Sequence, residues 1–210
     1  MTTNRTNAGI ALAGVPPASP AILERLHERV AAGADRDGLL DVAYRTVPSP
    51  VGDLLLAATR KGLVRVAFAR EGHEAVIADL ATVVGPRVLR SPRPLDDAAR
   101  QLDEYFAGRR REFDLALDVR LAHGFRRRVL DRLRRVAFGE RVTYAALAAD
   151  TGNGAAVRAT GSACAHNPLP LVIPCHRVVR RDGSIGDYLG GTAAKRAILA
   201  MEEARSAGGA

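Results

Sequence analysis

Residues 171–179 read LVIPCHRVV, an apolar run that delivers a proline, a cysteine, a histidine and an arginine. Its β-branched residues predict buried extended chain before Pro174 and again after Arg177, because Val and Ile suit a packed, pleated surface. Pro174 fixes its own φ angle and disfavours helix in the preceding residue, so Cys175 is presented on a stiff segment. A cysteine is nucleophilic as its thiolate, and a neighbouring imidazole or cation lowers its pKa from roughly 8.5. His176 and Arg177 are such neighbours, so the stretch predicts a reactive cysteine.

The same stretch has a plainer interpretation. A cysteine in an apolar strand is most often a small buried hydrophobe. Adjacent side chains on a strand point to opposite faces, so a Cys-His pair is not by itself a catalytic dyad. The flanking sequence favours a site, because Asn167-Pro168 turns the chain just before the stretch. Four glycines follow it within a short distance: Gly183, Gly186, Gly190 and Gly191.

Five motifs occur in the same order as in a known family. They are FGERVTY at 138–144, RATG at 158–161, NP at 167–168, PCHRV at 174–178 and GDYLGG at 186–191. With these motifs the chain resembles the methylated-DNA–protein-cysteine methyltransferases, the O6-alkylguanine-DNA alkyltransferase family. Matching features run from about Val42 to Glu202. The resemblance implies an α/β fold, with a small ribonuclease-H-like α/β N-terminal domain and a C-terminal helical, winged-helix-like (helix-turn-helix) domain.

Composition narrows the class of protein. A 210-residue chain with 47% hydrophobic and 26% charged residues is typical of a soluble globular protein. No apolar run approaches the roughly 20 residues needed to span a bilayer, and the N-terminus lacks the pattern of a secretory signal. With Cys164 and Cys175 as the two cysteines, we expect free thiols in a reducing cytoplasm and no association with membranes.

The positive charge is concentrated in the second half of the chain. Residues 121–210 hold 14 Arg and Lys against 7 Asp and Glu, whereas residues 1–120 hold 17 against 16. A basic half joined to a neutral half indicates a polyanion-binding module, with nucleic acid the first candidate. The alternative is a solvated basic face with no partner.

Four segments are predicted along the chain. Residues 1–40 are expected to be a flexible extension with room for one short helix, capped by Ser19 and ended by Gly33. Residues 41–120 are expected to form the ribonuclease-H-like domain, and residues 206–210 a flexible tail. Residues 121–205 are expected to form the DNA-binding and alkyl-acceptor domain. In the second segment we predict strands at 42–47, 53–59, 62–68 and 113–119 and helices at 74–84 and 96–106.

The sequence of residues 121–205 predicts a helix-turn-helix. Helical spacing from His123 reaches Val136 and is broken at 138–139; a helix capped by Thr143 then covers 144–150, and another covers 155–166. The last of these helices is nearly bare of large side chains. Such a helix lets its backbone approach the narrow minor groove, although tight helix packing is the alternative.

The resemblance also implies a reaction and the residues that perform it. It implies DNA repair by direct transfer of an alkyl group from O6-alkylguanine, and also O4-alkylthymine, to Cys175, in one irreversible turnover with nucleotide flipping from the minor groove. His176 would take the thiol proton through a water, and Glu202, chosen over Glu203 by motif register, would orient the histidine. Tyr144 would donate a proton to the leaving base and crowd its phosphate. Arg158 would fill the space that the flipped nucleotide leaves.

The implied DNA and base contacts are wider. The recognition helix would meet DNA through Arg158, Ala159, Gly161 and Ser162, together with Tyr144. The base pocket would be lined by Asn167, Cys164, Val178, Ile185, Gly186, Tyr188, Leu189 and Gly190. Leu189 lies where many relatives have a smaller residue.

Partners and alternatives follow from the same features. We expect double-stranded DNA containing alkylated guanine as the partner, a monomer, and no cofactor. We also expect no metal, because the N-terminal half has no cysteine to bind the structural zinc found in some relatives. A lesion sensor that binds alkylated bases without transfer is the main alternative, and an unrelated Cys-His hydrolase is a third.

Overall fold

The part of the chain that the structure describes begins with a helix that is longer than the sequence suggests. The computed structural model describes residues 19–207; the predictions for residues 1–18 and 208–210 lie outside this range. Helix α1 covers Pro20–Arg36, and Ser19 caps it through its backbone carbonyl, with no bond from its side chain. The prediction that Gly33 ends the helix is wrong. Gly38, at φ +62°, ends it instead, because the amides of Gly38 and Leu39 close a Schellman motif onto the last turn.

A four-stranded sheet follows, in the order β3-β2-β1-β4. Its strands are β1 (Val42–Val47), β2 (Leu54–Thr59), β3 (Gly62–Phe68) and β4 (Val88–Arg90). β1 and β3 pair with β2 in antiparallel fashion, and β4 pairs with β1 in parallel. Helices α2 (His73–Val83) and α3 (Asp96–Phe106) complete this domain.

The sheet is buried on both faces. In β2, Leu54 and Leu56 point into a core that α3 and the C-terminal helices share, whereas Leu55 and Ala57 point into a core with α2. A central strand covered on both sides carries a continuous apolar run, which is why β2 reads LLLAA.

The predicted strand at 113–119 is wrong. That segment forms a single bridge, between Leu63 and Leu117. The free edge of β3 is divided between two partners, because Leu63 bonds to residues 116 and 118 while the amide of Val66 donates to the carbonyl of Pro168 at 2.9 Å. The edge therefore has no length left for a fifth strand.

The C-terminal domain is helical. Its helices are α4 (Gly124–Leu133), α5 (Tyr144–Asp150), α6 (Val157–Ala165) and α7 (Gly191–Ala207). Thr143 caps α5 as predicted, with Oγ1 accepting from the amide of Ala146 at 3.1 Å. A short parallel pair, β5 (Val142–Thr143) with β6 (Val178–Val179), joins the start of α5 to the cysteine segment. Within residues 19–207, no helix is both long and apolar enough to cross a membrane.

The stretch before Cys175 is buried but not extended, so that prediction is wrong. Leu171 has φ +72°, and the amide of Ile173 donates back to the carbonyl of Leu169 at 2.8 Å. Pro174, at φ −80° and ψ 61°, then forms an inverse γ-turn that the amide of Cys175 closes onto Ile173 at 2.8 Å. Cys175–Arg177 forms one 3₁₀ turn, and the extended chain predicted after it is present as β6.

Candidate active site

The thiol of Cys175 is buried and held by an amide. Its side chain belongs to a residue only 3% exposed, and Nδ2 of Asn167 donates to Sγ at 3.1 Å. Asn167 is itself fully buried. Its Nδ2 also donates to the carbonyl of Ile173 at 2.8 Å, and its Oδ1 accepts from the amide of Leu169 at 3.0 Å. The amide side chain therefore shapes the tight turn and contacts the sulfur at the same time.

Burial sets the resting state of this thiol. It raises the pKa of Cys175 to about 11, while the hydrogen bond from Asn167 and the charge of Lys195 act in the opposite direction. The cysteine is therefore a protonated thiol at neutral pH. The prediction that His176 and Arg177 lower its pKa is wrong, because the 3₁₀ turn directs both side chains toward Glu202.

His176 and Glu202 form a buried pair behind the cysteine. Nε2 of His176 lies 3.1 Å from Oε1 of Glu202, and both residues have no exposed surface. Nε2 therefore carries the proton, which leaves Nδ1 as a hydrogen-bond acceptor. Nδ1 is buried, and it has no partner among the residues that the structure describes. Burial lowers the pKa of His176, so the ring is neutral and can accept a proton.

Glu202 is the anion at the centre of this network. Arg177 donates to both carboxylate oxygens, at 2.7 Å from Nη2 to Oε1 and at 3.0 Å from Nε to Oε2. Tyr105 donates its hydroxyl to Oε1 at 2.6 Å. Burial opposes the charge, but the hydrogen bonds from His176 and Arg177 hold the pKa of Glu202 below its usual range. Glu203, by contrast, points outward and pairs with Arg141 at 2.7 Å.

Tyr144 and Gly186 face each other beside the thiols. A Cβ added to Gly186 would lie 2.9 Å from the hydroxyl oxygen of Tyr144, so the helix and the loop are in close contact there. Burial, reinforced by the nearby Cys164 and Cys175, raises the pKa of Tyr144 to about 12. Tyr144 is therefore a protonated phenol at neutral pH and can donate a hydrogen bond.

The remaining residues predicted for the base pocket separate into two groups. Tyr188 is buried with its ring centroid 6.3 Å from that of His176, and Val178 and Cys164 are buried in β6 and α6. Gly190, however, packs on the core, since a Cβ there would meet the ring of Phe68 at 2.7 Å. Ile185 is partly buried, and Leu189 lines a cavity of about 300 Å³ that also includes Arg126 and His166.

One face of α6 is open to solvent. Arg158, Ala159 and Ser162 are exposed, and a Cβ added to Gly161 would meet no atom within 4 Å. Arg158 forms no ion pair with any residue in the range 19–207. Thr160, Ala163 and Cys164 form the buried face of the same helix.

Sequence reasoning missed two residues of this site. Lys195 is fully buried, donates Nζ to the carbonyl of Val178 at 2.6 Å, and is an electrostatic neighbour of Cys175. Its spacing from Glu202 was the available signal, because positions seven apart share one helical face. Tyr105 lies with apolar residues on one side of the predicted helix at 96–106, and the signal was its hydroxyl, because a buried tyrosine hydroxyl usually has a hydrogen-bond partner. Within the described range, no cluster of His, Cys, Asp and Glu could hold a metal ion.

Comparison with known proteins matches both halves of this architecture. Residues 42–119 match the family described as 6-O-methylguanine DNA methyltransferase, ribonuclease-like domain, and residues 124–204 match its DNA binding domain. A ribonuclease-like sheet domain followed by a helical DNA-binding domain with a buried cysteine defines a class of DNA alkyltransferases. The chain belongs to the methylated-DNA–protein-cysteine methyltransferase family. Helix α1 lies outside both matched regions.

Individual relatives support membership of this family. The chain is 36% identical over 165 residues to the methylated-DNA–protein-cysteine methyltransferase of Mycolicibacterium paratuberculosis, covering 79% of this chain and 94% of that protein. It is 40% identical over 164 residues to the protein of that name from Homo sapiens, covering 75% and 78%.

Solved structures agree as well. The crystal structure of Mycobacterium tuberculosis O6-methylguanine methyltransferase superposes with a TM-score of 0.69 at 35% identity, over 78% of this chain and 94% of that chain. The M. tuberculosis OGT structure in complex with DNA gives a TM-score of 0.67 at 34% identity, with the same coverage.

Proposed function

We propose that this protein repairs DNA by moving an alkyl group from the O6 atom of guanine to the sulfur of Cys175. The observation that carries the proposal is the buried relay: Glu202 holds Nε2 of His176, so Nδ1, which has no partner among residues 19–207, is available for the proton of the preceding residue, Cys175, whose thiol Asn167 holds. Nucleophile, base and orienting carboxylate are the three parts that activate a thiol. Family membership supplies the substrate class.

The reaction begins with a proton transfer. The proton of Cys175 passes through one bridging water to Nδ1 of His176, because adjacent residues of the turn are poorly placed for direct contact. Glu202 stabilises the imidazolium that forms. The thiolate is stabilised by the hydrogen bond from Asn167 and by the positive charge of Lys195. A low-dielectric setting strengthens both interactions.

Alkyl transfer follows in one displacement. The sulfur attacks the alkyl carbon in line with the C–O6 bond; a carbon–sulfur bond forms, and the electron pair of the broken bond passes to guanine. The hydroxyl of Tyr144, which is protonated at neutral pH, donates to the ring as negative charge develops there. The product is a thioether at Cys175 with no leaving group, so each molecule reacts once. O4-alkylthymine carries the same O-alkyl unit and is the second substrate.

The burial of the thiol implies that the base leaves the helix. A residue only 3% exposed cannot reach a base that is stacked in duplex DNA. Flipping costs a few kcal/mol. Arg158 is exposed and unpaired in the described part of the chain, and we assign it to the space that the flipped nucleotide vacates. The small side chains beside it let α6 approach the minor groove of double-stranded DNA. We expect the protein to bind as a monomer. Cys164, Asn167, Val178, Ile185, Gly186 and Tyr188 would surround the base, and Leu189 and Gly190 would hold the loop that carries Tyr188 against the core.

The two cysteines allow a matched test of this function. Wild type, Cys175→Ser and Cys164→Ser are incubated with duplex DNA that carries an isotopically labelled methyl group at guanine O6, and the proteins are then digested. We expect label on the peptide containing Cys175 in wild type and in Cys164→Ser, and none in Cys175→Ser. Tight binding to methylated duplex without label on any peptide would reject transfer and favour a lesion sensor.

A further inference from the structure

Tyr105 links the sheet domain to the relay behind the thiol. It lies on α3, is fully buried, and donates its hydroxyl to Oε1 of Glu202 at 2.6 Å. α3 belongs to the region that matches the ribonuclease-like family, whereas Glu202 belongs to the region that matches the DNA-binding family. A single hydroxyl of the first domain thus contacts the carboxylate that the second domain uses.

The donors around Glu202 are divided between its two oxygens. Oε1 accepts from Tyr105, from Nε2 of His176 at 3.1 Å and from Nη2 of Arg177 at 2.7 Å. Oε2 accepts from the amide of Gly139 at 3.3 Å, and Nε of Arg177 is shared, at 3.0 Å from Oε2 and 3.3 Å from Oε1. Tyr105 and His176 therefore share the same oxygen.

Aromatic packing fixes where the hydroxyl of Tyr105 lies. Its ring centroid is 5.3 Å from that of Phe106, 5.2 Å from that of Phe113 and 6.1 Å from that of Phe138. Phe138 directly precedes Gly139, which contacts the other carboxylate oxygen. The ring is thus clamped by its neighbours, and the position of its hydroxyl does not depend on the histidine.

We propose that Tyr105 is a positioning residue for the alkyl transfer, which holds Oε1 of Glu202 against Nε2 of His176 and so fixes the imidazole in the orientation that leaves Nδ1 as the proton acceptor. The inference rests on the proposed function. Arg177 donates to both oxygens of Glu202. Without the Tyr105 hydroxyl on Oε1, the carboxylate can turn toward the guanidinium and away from the imidazole. Because Tyr105, His176 and Glu202 are all buried, water does not readily replace the missing hydroxyl donor.

Tyr105→Phe removes the hydroxyl and keeps the ring. Glu202 then turns toward Arg177, so the carboxylate stabilises the imidazolium form of His176 less. The other charged groups near the imidazole, Arg177 and Lys195, are unchanged. In an NMR titration we expect the pKa of His176 to fall by about half a unit to one unit, because the contact with Glu202 is what raises it. We also expect the single-turnover transfer rate at pH 8 to fall about five- to tenfold, with unchanged binding to methylated duplex.

Phe113→Leu is the matched control, because it removes one aromatic neighbour of Tyr105 and keeps the hydroxyl together with the other two neighbours, Phe106 and Phe138. It should lower the melting temperature but leave the titration of His176 and the transfer rate near those of wild type. Equal titrations in wild type and Tyr105→Phe would overturn the proposal, as would the same shift in Phe113→Leu. The titration needs no substrate, so it decides the role of Tyr105 even if wild type failed to transfer methyl groups.

Discussion

At the scale of single residues, burial has two opposing effects on Cys175. Burial protects the thiol from bulk solvent and strengthens every electrostatic contact, but it also raises the pKa of the thiol to about 11. Lys195 offsets part of this cost. It is buried without an ion-pair partner among residues 19–207, and burial lowers its own pKa. Its positive charge therefore acts on the neighbouring thiols.

We predict that Lys195→Met raises the pKa of Cys175 and slows methyl transfer on the order of tenfold, since one pKa unit changes the thiolate fraction tenfold. The sign follows from the charge: a cation stabilises the thiolate, so its removal moves thiolate formation to higher pH. Ultraviolet absorbance of the thiolate, followed against pH in a Cys164→Ser background, measures the shift.

The chain contains one other lysine, and it supplies the control. Lys61 is exposed in the turn between β2 and β3, so Lys61→Met should leave both the titration and the transfer rate unchanged. Lys195→Met removes a buried charge and should not lower the melting temperature. An unchanged thiolate titration in Lys195→Met would show that the lysine does not act on the cysteine.

Which residues could be predicted depends on whether they lie in register with a motif. Cys175, His176 and Glu202 were identified because motif register marks them. Lys195 and Tyr105 contact partners that lie 17 and 97 positions away along the chain, and in sequence each reads as an ordinary helical residue. The hydroxyl of Tyr105 called for a partner, but only the packing of α3 against α7 identifies Glu202 as that partner.

At the scale of elements, α6 presents a single long side chain on an otherwise bare exposed face. Arg158 projects from its first turn beside Ala159 and Ser162, and the opposite face is packed. A helix of this kind has few groups with which to read base edges. It suits close approach of the backbone to DNA, with one side chain available to enter the stack.

We predict that Arg158→Ala slows methyl transfer from duplex DNA on the order of 10- to 100-fold. Flipping costs a few kcal/mol, and the variant lacks the side chain that fills the space left by the flipped nucleotide. Reaction with the free base O6-benzylguanine should change less than twofold, since a free base needs no extrusion. Single-turnover rates with both substrates measure this ratio. Equal losses with both would refute the filler role, and Arg181→Ala, on an exposed loop, controls for loss of a positive charge.

Sequence reasoning missed the segments whose conformation depends on contacts with distant parts of the chain. The apolar run before Pro174 reads as a strand, but the buried side chain of Asn167 bonds Ile173 and Leu169 and so closes a turn. Residues 113–119 also read as a strand, but the edge of β3 had no room for it. Helices and strands with strong local periodicity, such as α3 and β2, were predicted correctly.

At the scale of the whole molecule, the two domains are coupled at the site rather than merely joined in sequence. The sheet domain contributes Tyr105 to the relay, and Phe68 packs against both Tyr188 and the backbone of Gly190. The excess of positive charge lies in the half that carries α6, in line with a DNA-facing domain. Sequence alone predicted the architecture and the charge asymmetry, but not these contacts between domains.

Intact-mass analysis of the full chain after reaction with an excess of O6-methylguanine duplex tests the central claim most directly. We predict a gain of one methyl group per chain and no more, located on Cys175 by peptide mapping. Unchanged mass in a protein that binds the duplex tightly, repeated turnover without modification, or a methyl group on Cys164 would contradict it.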